Sequence, residues 1–166
     1  MRIFYAINFS DDVKEKLYQY IIKNKGLKAS FTRKENIHLT IYFVGEINYV
    51  DLDFYIGVLD KVKFNNFEIE VEGFDFFHKK DGSIWHLKIR NNLSLDNLFK
   101  QIASSMNLNK MNFTPHITLA RRVTDPKEII KNDIEIDKIK VDSISLMESK
   151  FVDNKLVYTE IIKKQI

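Results

Sequence analysis

Cysteine is absent from this chain of 166 residues, and it has only 2 prolines and 5 glycines. Without cysteine there is no disulfide framework, no thiol nucleophile and no cysteine-based zinc site, so any metal would need histidine and carboxylates. The scarcity of glycine and proline argues against a low-complexity chain, and 45% hydrophobic with 30% charged residues suits a compact core. Long hydrophobic runs are missing too. No stretch approaches the ~20 apolar residues of a membrane span, and Ile3-Phe4-Tyr5-Ala6-Ile7 is too short for a secretory signal. The expectation is a cytoplasmic monomer forming one domain over residues 1–166, with no membrane partner. A formal charge of +3 permits a polyanionic partner but does not argue for one.

What the chain does contain is aromatic and β-branched: 13 Phe and 7 Tyr favour strands. Residues 2–9 read as a strand, followed by a helix over 11–24 that Ser10 caps, with Val13, Leu17, Tyr20 and Ile21 at helical spacing and Gly26 as a stop. A short strand is expected at 30–33, a longer one at 37–44, and a helix over 49–62. Residues 67–77 and 83–90 form a hairpin around a turn at 79–82. Ser94 is placed to cap a helix carrying Leu95, Leu98, Phe99, Ile102 and Met106, and a strand follows at 116–121. Asp125-Pro126 starts a short helix or turn, and further strands are expected near 134–136, 141–151 and 156–163, the last two joined by a turn at 153–155. No linker-like segment divides the chain, so a single α+β unit is favoured.

One internal echo stands out. Asn36-Ile37-His38-Leu39-Thr40-Ile41 and Thr114-Pro115-His116-Ile117-Thr118-Leu119 share a His-apolar-Thr-apolar pattern 78 residues apart, each after a helix and each in a strand. Strand alternation puts His38, Thr40 and Tyr42 on one face and His116 and Thr118 on one face of the second strand, each backed by apolar residues. A bland reading is that these polar groups satisfy each other or the backbone. The sharper one is phosphodiester cleavage: a neutral imidazole takes a proton from water or a hydroxyl, a protonated one gives a proton to the leaving oxygen, and the hydroxyls bind non-bridging oxygens. In-line displacement puts the attacking and leaving oxygens on opposite sides of phosphorus, which suits two opposed strands.

The doubled motif resembles the signature of the two-histidine phosphoesterase superfamily. Residues 1–7 (MRIFYAI), 35–46 (ENIHLTIYFVGE), 113–121 (FTPHITLAR) and 141–149 (VDSISLMES) resemble, in order, the RNA 2',3'-cyclic phosphodiesterase family, also called the 2'-5' RNA ligase family. The resemblance implies a bilobal α+β fold, with two antiparallel sheets flanking a central cleft, helices outside and a pseudo-two-fold relation between lobes. It also implies hydrolysis of an RNA 2',3'-cyclic phosphate terminus to a 2'-phosphomonoester with no metal or other cofactor, and possible reversible 2'-5' ligation. By the family pattern His38 is the proton donor and His116 the acceptor, while Thr40, Thr118 and Arg121 bind phosphate. Regular alternation would instead bring Arg122 to the His116 face, unless a bulge re-aims Arg121. Tyr42 and Trp85 are the candidates for base or cleft contacts. His78 and His86 lack a threonine two residues on, and are expected on a solvated or RNA-facing basic edge. Two rivals are a non-catalytic RNA or nucleotide-binding module and a small-nucleotide cyclic phosphodiesterase of the same superfamily.

Overall fold

The computed structural model describes residues 1–107, 112–129, 136 and 138–165. Strand β1 (Arg2–Asn8) leads into α1 (Asp11–Ile22), a two-residue strand β2 (Ser30–Phe31) and then β3 (His38–Glu46). After α2 (Leu52–Lys61) come the hairpin β4 (Phe67–Phe77) and β5 (Ser83–Ile89), helix α3 (Leu93–Ser105) and β6 (His116–Val123). Strands β7 (Lys138–Val141), β8 (Ser143–Val152) and β9 (Lys155–Gln165) complete the chain.

The strands form one antiparallel ladder in the order β7-β4-β5-β6-β3-β1-β8-β9, with β2 attached to β6. Its two halves are mirror inventories. β1-α1-β3 on one side corresponds to β5-α3-β6 on the other, each a strand, a helix and a motif strand paired back onto the first. The halves meet where β3 and β6 pair through Leu39 and Ile117, the residues that follow the two motif histidines. The expected pair of antiparallel lobes is therefore present, as two halves of one curled sheet. Past that pairing the motif strands separate, and β2 takes the edge of β6 that β3 leaves, with Thr32 Oγ1 donating to the Thr118 carbonyl at 2.9 Å.

So narrow a junction needs other support, and the helices supply it. α1 lies against β6 and α3 against β3, so each helix covers the motif strand of the opposite half. Leu17 and Ile21 of α1 and Leu95, Leu98 and Ile102 of α3 are fully buried in a single core with Leu39, Leu87, Ile117 and Leu119. Phe4, Ala6 and Met147 form a small second cluster with Tyr158 packed on it. That second cluster explains why β1 reads as an unbroken apolar run: both of its faces are covered.

Several elements depart from the sequence reading. The α3 helix starts earlier, because Asn92 and not Ser94 is its cap: the Asn92 side chain accepts from the amides of Ser94 and Leu95 at 2.8 and 3.3 Å. The segment expected as one strand over 141–151 is divided at Asp142, with β7 pairing to β4 at one end of the ladder and β8 to β1 near the other. One intervening residue can span only ~7 Å of chain, so the sheet must curl to bring those parts together. The helix over 49–62 opens with a 3-10 turn (Tyr49–Asp51). The strand expected near 134–136 falls mostly outside the described residues. Asp153 and Asn154, at φ of 48° and 59°, form the expected tight turn between β8 and β9.

Candidate active site

Each motif strand breaks its alternation in the same place. In β3 the register against β1 slips between Thr40 and Tyr42, so Ile41 and Tyr42 are both buried and Phe43 emerges on the side of His38 and Thr40. In β6 the register against β5 slips between Thr118 and Ala120, so Leu119 and Ala120 are both buried and Arg121 emerges. Phe43 and Arg121 thus occupy corresponding positions in the two halves. A groove of about 410 Å³ collects His38, Thr40, Phe43 and Arg121 with Arg2, Phe4 and Tyr158. His116 borders an adjoining hollow that shares Thr40 and Phe43. Arg122 follows at φ 54°, with Gly82 so close that a Cβ there would lie 2.8 Å from the Arg122 backbone.

The two imidazoles are anchored alike. His38 Nδ1 donates to the Asn36 carbonyl at 2.7 Å and His116 Nδ1 to the Thr114 carbonyl at 2.8 Å. A carbonyl can only accept, so in the neutral ring each proton sits on Nδ1 and each Nε2 is left to accept or receive a proton. His38 Nε2 lies 2.9 Å from Thr40 Oγ1, so the threonine hydroxyl donates to the neutral ring. Asn36 also ties this corner to β9: its side chain donates to the Leu156 carbonyl at 2.8 Å and accepts from the Tyr158 amide at 3.2 Å. Tyr158 and Phe4 then wall the His38 ring, with centroids 5.0 and 4.9 Å away.

Electrostatics favour neutral rings in the absence of an anion. Burial pushes the His38 imidazole down to about 4, against a raising effect from the Asn36 carbonyl, and the positive charges of Arg121, Lys14 and His116 push it further down. His116 is lowered by burial first and by Arg121 as well. Arg121 and Arg2 form no ion pair among the described residues, so this groove combines free guanidinium charge with two imidazoles. Such a site attracts anions, and a bound anion would restore the proton affinity that burial removes. Among the described residues, no three His, Asp or Glu side chains are grouped to hold a metal ion.

Two expected cleft contacts are corrected. Tyr42 is 2% exposed and stacks on Phe99 of α3 at 5.7 Å, because the bulge turns it into the core. Trp85 is fully buried against Phe74, with ring centroids 5.6 Å apart, and cannot meet a substrate base. His86 is corrected also. It is 1% exposed, lies opposite Thr118 across the β5–β6 pairing, and sits 5.3 Å from the His116 ring. Phe77 stacks on His86 at 4.0 Å and meets His116 edge-on at 5.0 Å. His78 is exposed, with Nδ1 3.0 Å from Ser83 Oγ. The sequence reading missed Phe43, Phe4, Tyr158, Phe77 and His86 as neighbours of the motif. Only Phe43 had a usable signal, since a slip of one residue in β3 exchanges it with Tyr42.

A family model described as LigT like Phosphoesterase matches residues 7–85, which contain the first motif. A Thermotoga maritima RNA 2',3'-cyclic phosphodiesterase is 28% identical over 85% of this chain and 81% of its own length. A Methanocaldococcus jannaschii protein of the same name is 27% identical over 99% of both. Among solved structures, a Thermus thermophilus protein superposes with a TM-score of 0.84 at 21% identity, covering 99% of this chain and 97% of that one. E. coli LigT complexed with 3'-AMP gives 0.83 at 20% identity, with the same coverage. The fold is shared with the two solved structures, and the sequence is similar to the LigT-like phosphoesterases over residues 7–85 and to the two RNA 2',3'-cyclic phosphodiesterases over most of its length.

Proposed function

We propose that this chain hydrolyses the 2',3'-cyclic phosphate at the end of an RNA to a 2'-phosphomonoester, without a metal. The observation that carries the reading is the matched anchoring of His38 and His116 on two strands that meet between them, beside two threonines and the unpaired Arg121. The T. maritima and M. jannaschii relatives are named RNA 2',3'-cyclic phosphodiesterases, which supports the substrate class.

In this mechanism Thr40, Thr118 and Arg121 hold the non-bridging oxygens. His116 Nε2 takes a proton from water as its oxygen bonds to phosphorus, and the bond to the 3'-oxygen breaks as His38 Nε2 delivers a proton to it. The phosphate stays on the 2'-oxygen. The donor and acceptor roles follow the family pattern. In the free protein both rings favour the neutral form, so the phosphodiester anion itself has to bring His38 into its protonated state. With a 5'-hydroxyl in place of water, the same steps in the same direction make a 2'-5' linkage from a cyclic end, and their reversal cleaves that linkage.

The test is turnover of an oligonucleotide with a defined 2',3'-cyclic phosphate, followed by phosphorus NMR against 2'- and 3'-phosphate standards. A 2'-phosphate product formed at an undiminished rate in EDTA is expected. A 3'-phosphate product would reverse the placement of His38 beside the 3'-oxygen, and loss of activity restored by a divalent ion would overturn the metal-free reading.

A further inference from the structure

A 2',3'-cyclic phosphate can stand only at the 3' end of an RNA, so every other nucleotide of the substrate lies on its 5' side and must leave the site in one direction. The groove beside His38 offers such a path. Thr40 lies opposite Ala6 of β1, and four residues back along β1 Arg2 lies opposite Ser149 of β8. Extended strand covers ~13 Å in that distance, against about 3.4 Å per stacked base step. The groove is thus longer than the terminal nucleotide requires.

Its far end is unusual for a protein surface. Arg2 is the first residue of β1, so Lys150, Phe151 and Val152 of β8 continue past the end of β1 as a two-stranded overhang with β9. Phe151 in this overhang is 72% exposed and Phe43 across the groove is 43% exposed. Both line the groove with Arg2 between their strands, and the Arg2 guanidinium lies 4.8 Å from the centre of the Phe43 ring. Phe151 and Phe43 together give this end of the groove an exposed apolar rim, the kind of patch that marks a ligand-binding groove. Aromatic faces beside an unpaired guanidinium are the chemistry that takes single-stranded nucleic acid, the rings stacking on bases and the cation meeting the backbone.

We propose that Phe151, Arg2 and Phe43 form a subsite for the nucleotide immediately 5' of the cyclic end. The base of that nucleotide stacks on Phe151, and the phosphodiester joining it to the terminal nucleotide meets Arg2. The protein is then a reader of oligonucleotide ends and not of mononucleotides. This inference rests on the reaction proposed above and narrows its substrate.

Two measurements test it. The first compares kcat/KM for uridine 2',3'-cyclic phosphate and for a trinucleotide ending in the same group. The unaltered protein should favour the trinucleotide by about ten-fold or more, the size of a base–aromatic stack. Phe151→Ala should remove about ten-fold from the trinucleotide and leave the mononucleotide unchanged. Equal rates on both substrates, or an equal loss on both in the variant, would overturn the subsite. The second is calorimetric titration with uridine 2'-phosphate and with the trinucleotide 2'-phosphate, which requires no turnover. If neither cyclic substrate is cleaved but the trinucleotide still binds more tightly in a Phe151-dependent way, the catalytic reading falls and the subsite stands. Equal binding of the two ligands removes the subsite whatever the rates. Sedimentation velocity covers the other occupant of an apolar tip: a dimer that Phe151→Ala converts to monomer would assign Phe151 to a second copy of the chain and overturn the proposal.

Discussion

The two halves of the sheet build the same device with different walls. Each anchors a histidine through Nδ1 to the carbonyl two residues earlier, and each bulges after its threonine. On the His38 side the ring is enclosed by Phe4 and Tyr158, and Thr40 donates to Nε2. On the His116 side the walls are Phe77 and a second imidazole, His86, and among the described residues no hydrogen bond joins His116 to Thr118. After the bulge one half presents Phe43 and the other Arg121. A half-unit plan common to both sides thus accounts for the paired imidazoles, whereas Phe43 and Arg121 mark a difference between the halves at one equivalent position. A phosphodiester needs both: symmetry for in-line attack and departure, asymmetry to tell a phosphate from the nucleoside attached to it.

The sharpest way to break the comparison is to remove one imidazole at a time. His38→Ala and His116→Ala should each lower kcat by about 100-fold or more, with circular dichroism and melting unchanged in kind, since both rings face the groove side and not the main core. If one variant kept a near-normal rate, the halves would not share the chemistry. A comparable loss, on the order of 100-fold in kcat/KM, is expected for Arg121→Ala if the guanidinium stabilises charge on phosphorus. Arg122→Asn is the control, because asparagine tolerates the left-handed backbone at that residue. A rate unchanged in Arg122→Asn sharpens the assignment, and the reverse outcome would place the wrong arginine at the phosphate.

Much of this arrangement was legible in the sequence. His38, Thr40, His116 and Thr118 alternate cleanly, and the antiparallel α+β plan follows from strands that reappear at the expected spacing. The bulges were not legible. Ile41-Tyr42 and Leu119-Ala120 are apolar pairs that fit a regular strand equally well, and only cross-strand pairing decides which residue is left out of register. The same limit misplaced Trp85, whose neighbours across the strands, Phe76 and Ala120, are set by tertiary structure. Nor does local sequence separate β7 from β8, because Asp142 interrupts an alternation that reads as continuous. Asn92 and Ser94 are comparable caps, and it is the Asn92 side chain that takes the Ser94 and Leu95 amides.

Acid stability probes the burial common to both halves. Three imidazoles, His38, His116 and His86, are depressed in the folded protein, in each case first by burial. The unfolded chain therefore binds more protons once pH falls below its ordinary histidine value of about 6.5. The stability these groups contribute is fully present above that pH and is lost as pH falls toward the folded value, about 4 for His38. Each contributes up to about 1.4 kcal/mol per pH unit inside its window. Urea midpoints measured from pH 7 to pH 4.5 should fall, and His38→Phe should flatten the slope. Inorganic phosphate should steepen recovery of the His38 proton, visible as a raised titration midpoint by NMR. A flat stability profile would contradict the burial, and an unmoved midpoint would contradict anion coupling.

The smallest expected effect concerns His86, the residue by which the two halves differ most in kind. It could serve His116 as a proton carrier or as a wall. Burial lowers His86 first, the Ile84 carbonyl 3.4 Å from its Nδ1 raises it, the charge of a protonated His116 lowers it, and Asp75, opposite it on β4, raises it. Lys88 on its own strand is engaged by Glu72 at 2.9 Å, and Arg121 on β6 adds positive charge near His116. The net effect lowers His86 and favours its neutral form, and what it offers then is a flat ring held by Phe77 at 4.0 Å and placed 5.3 Å from His116. As a positioning residue it should be replaceable by another flat ring. His86→Phe should keep kcat within about two-fold and leave both limbs of the pH–rate profile in place, whereas His86→Ala, which removes the wall, should lose several-fold in kcat with little change in KM. If phenylalanine proved as damaging as alanine, or moved a limb of the profile, His86 would be passing protons, and the His116 half would be a two-imidazole relay with no counterpart beside His38.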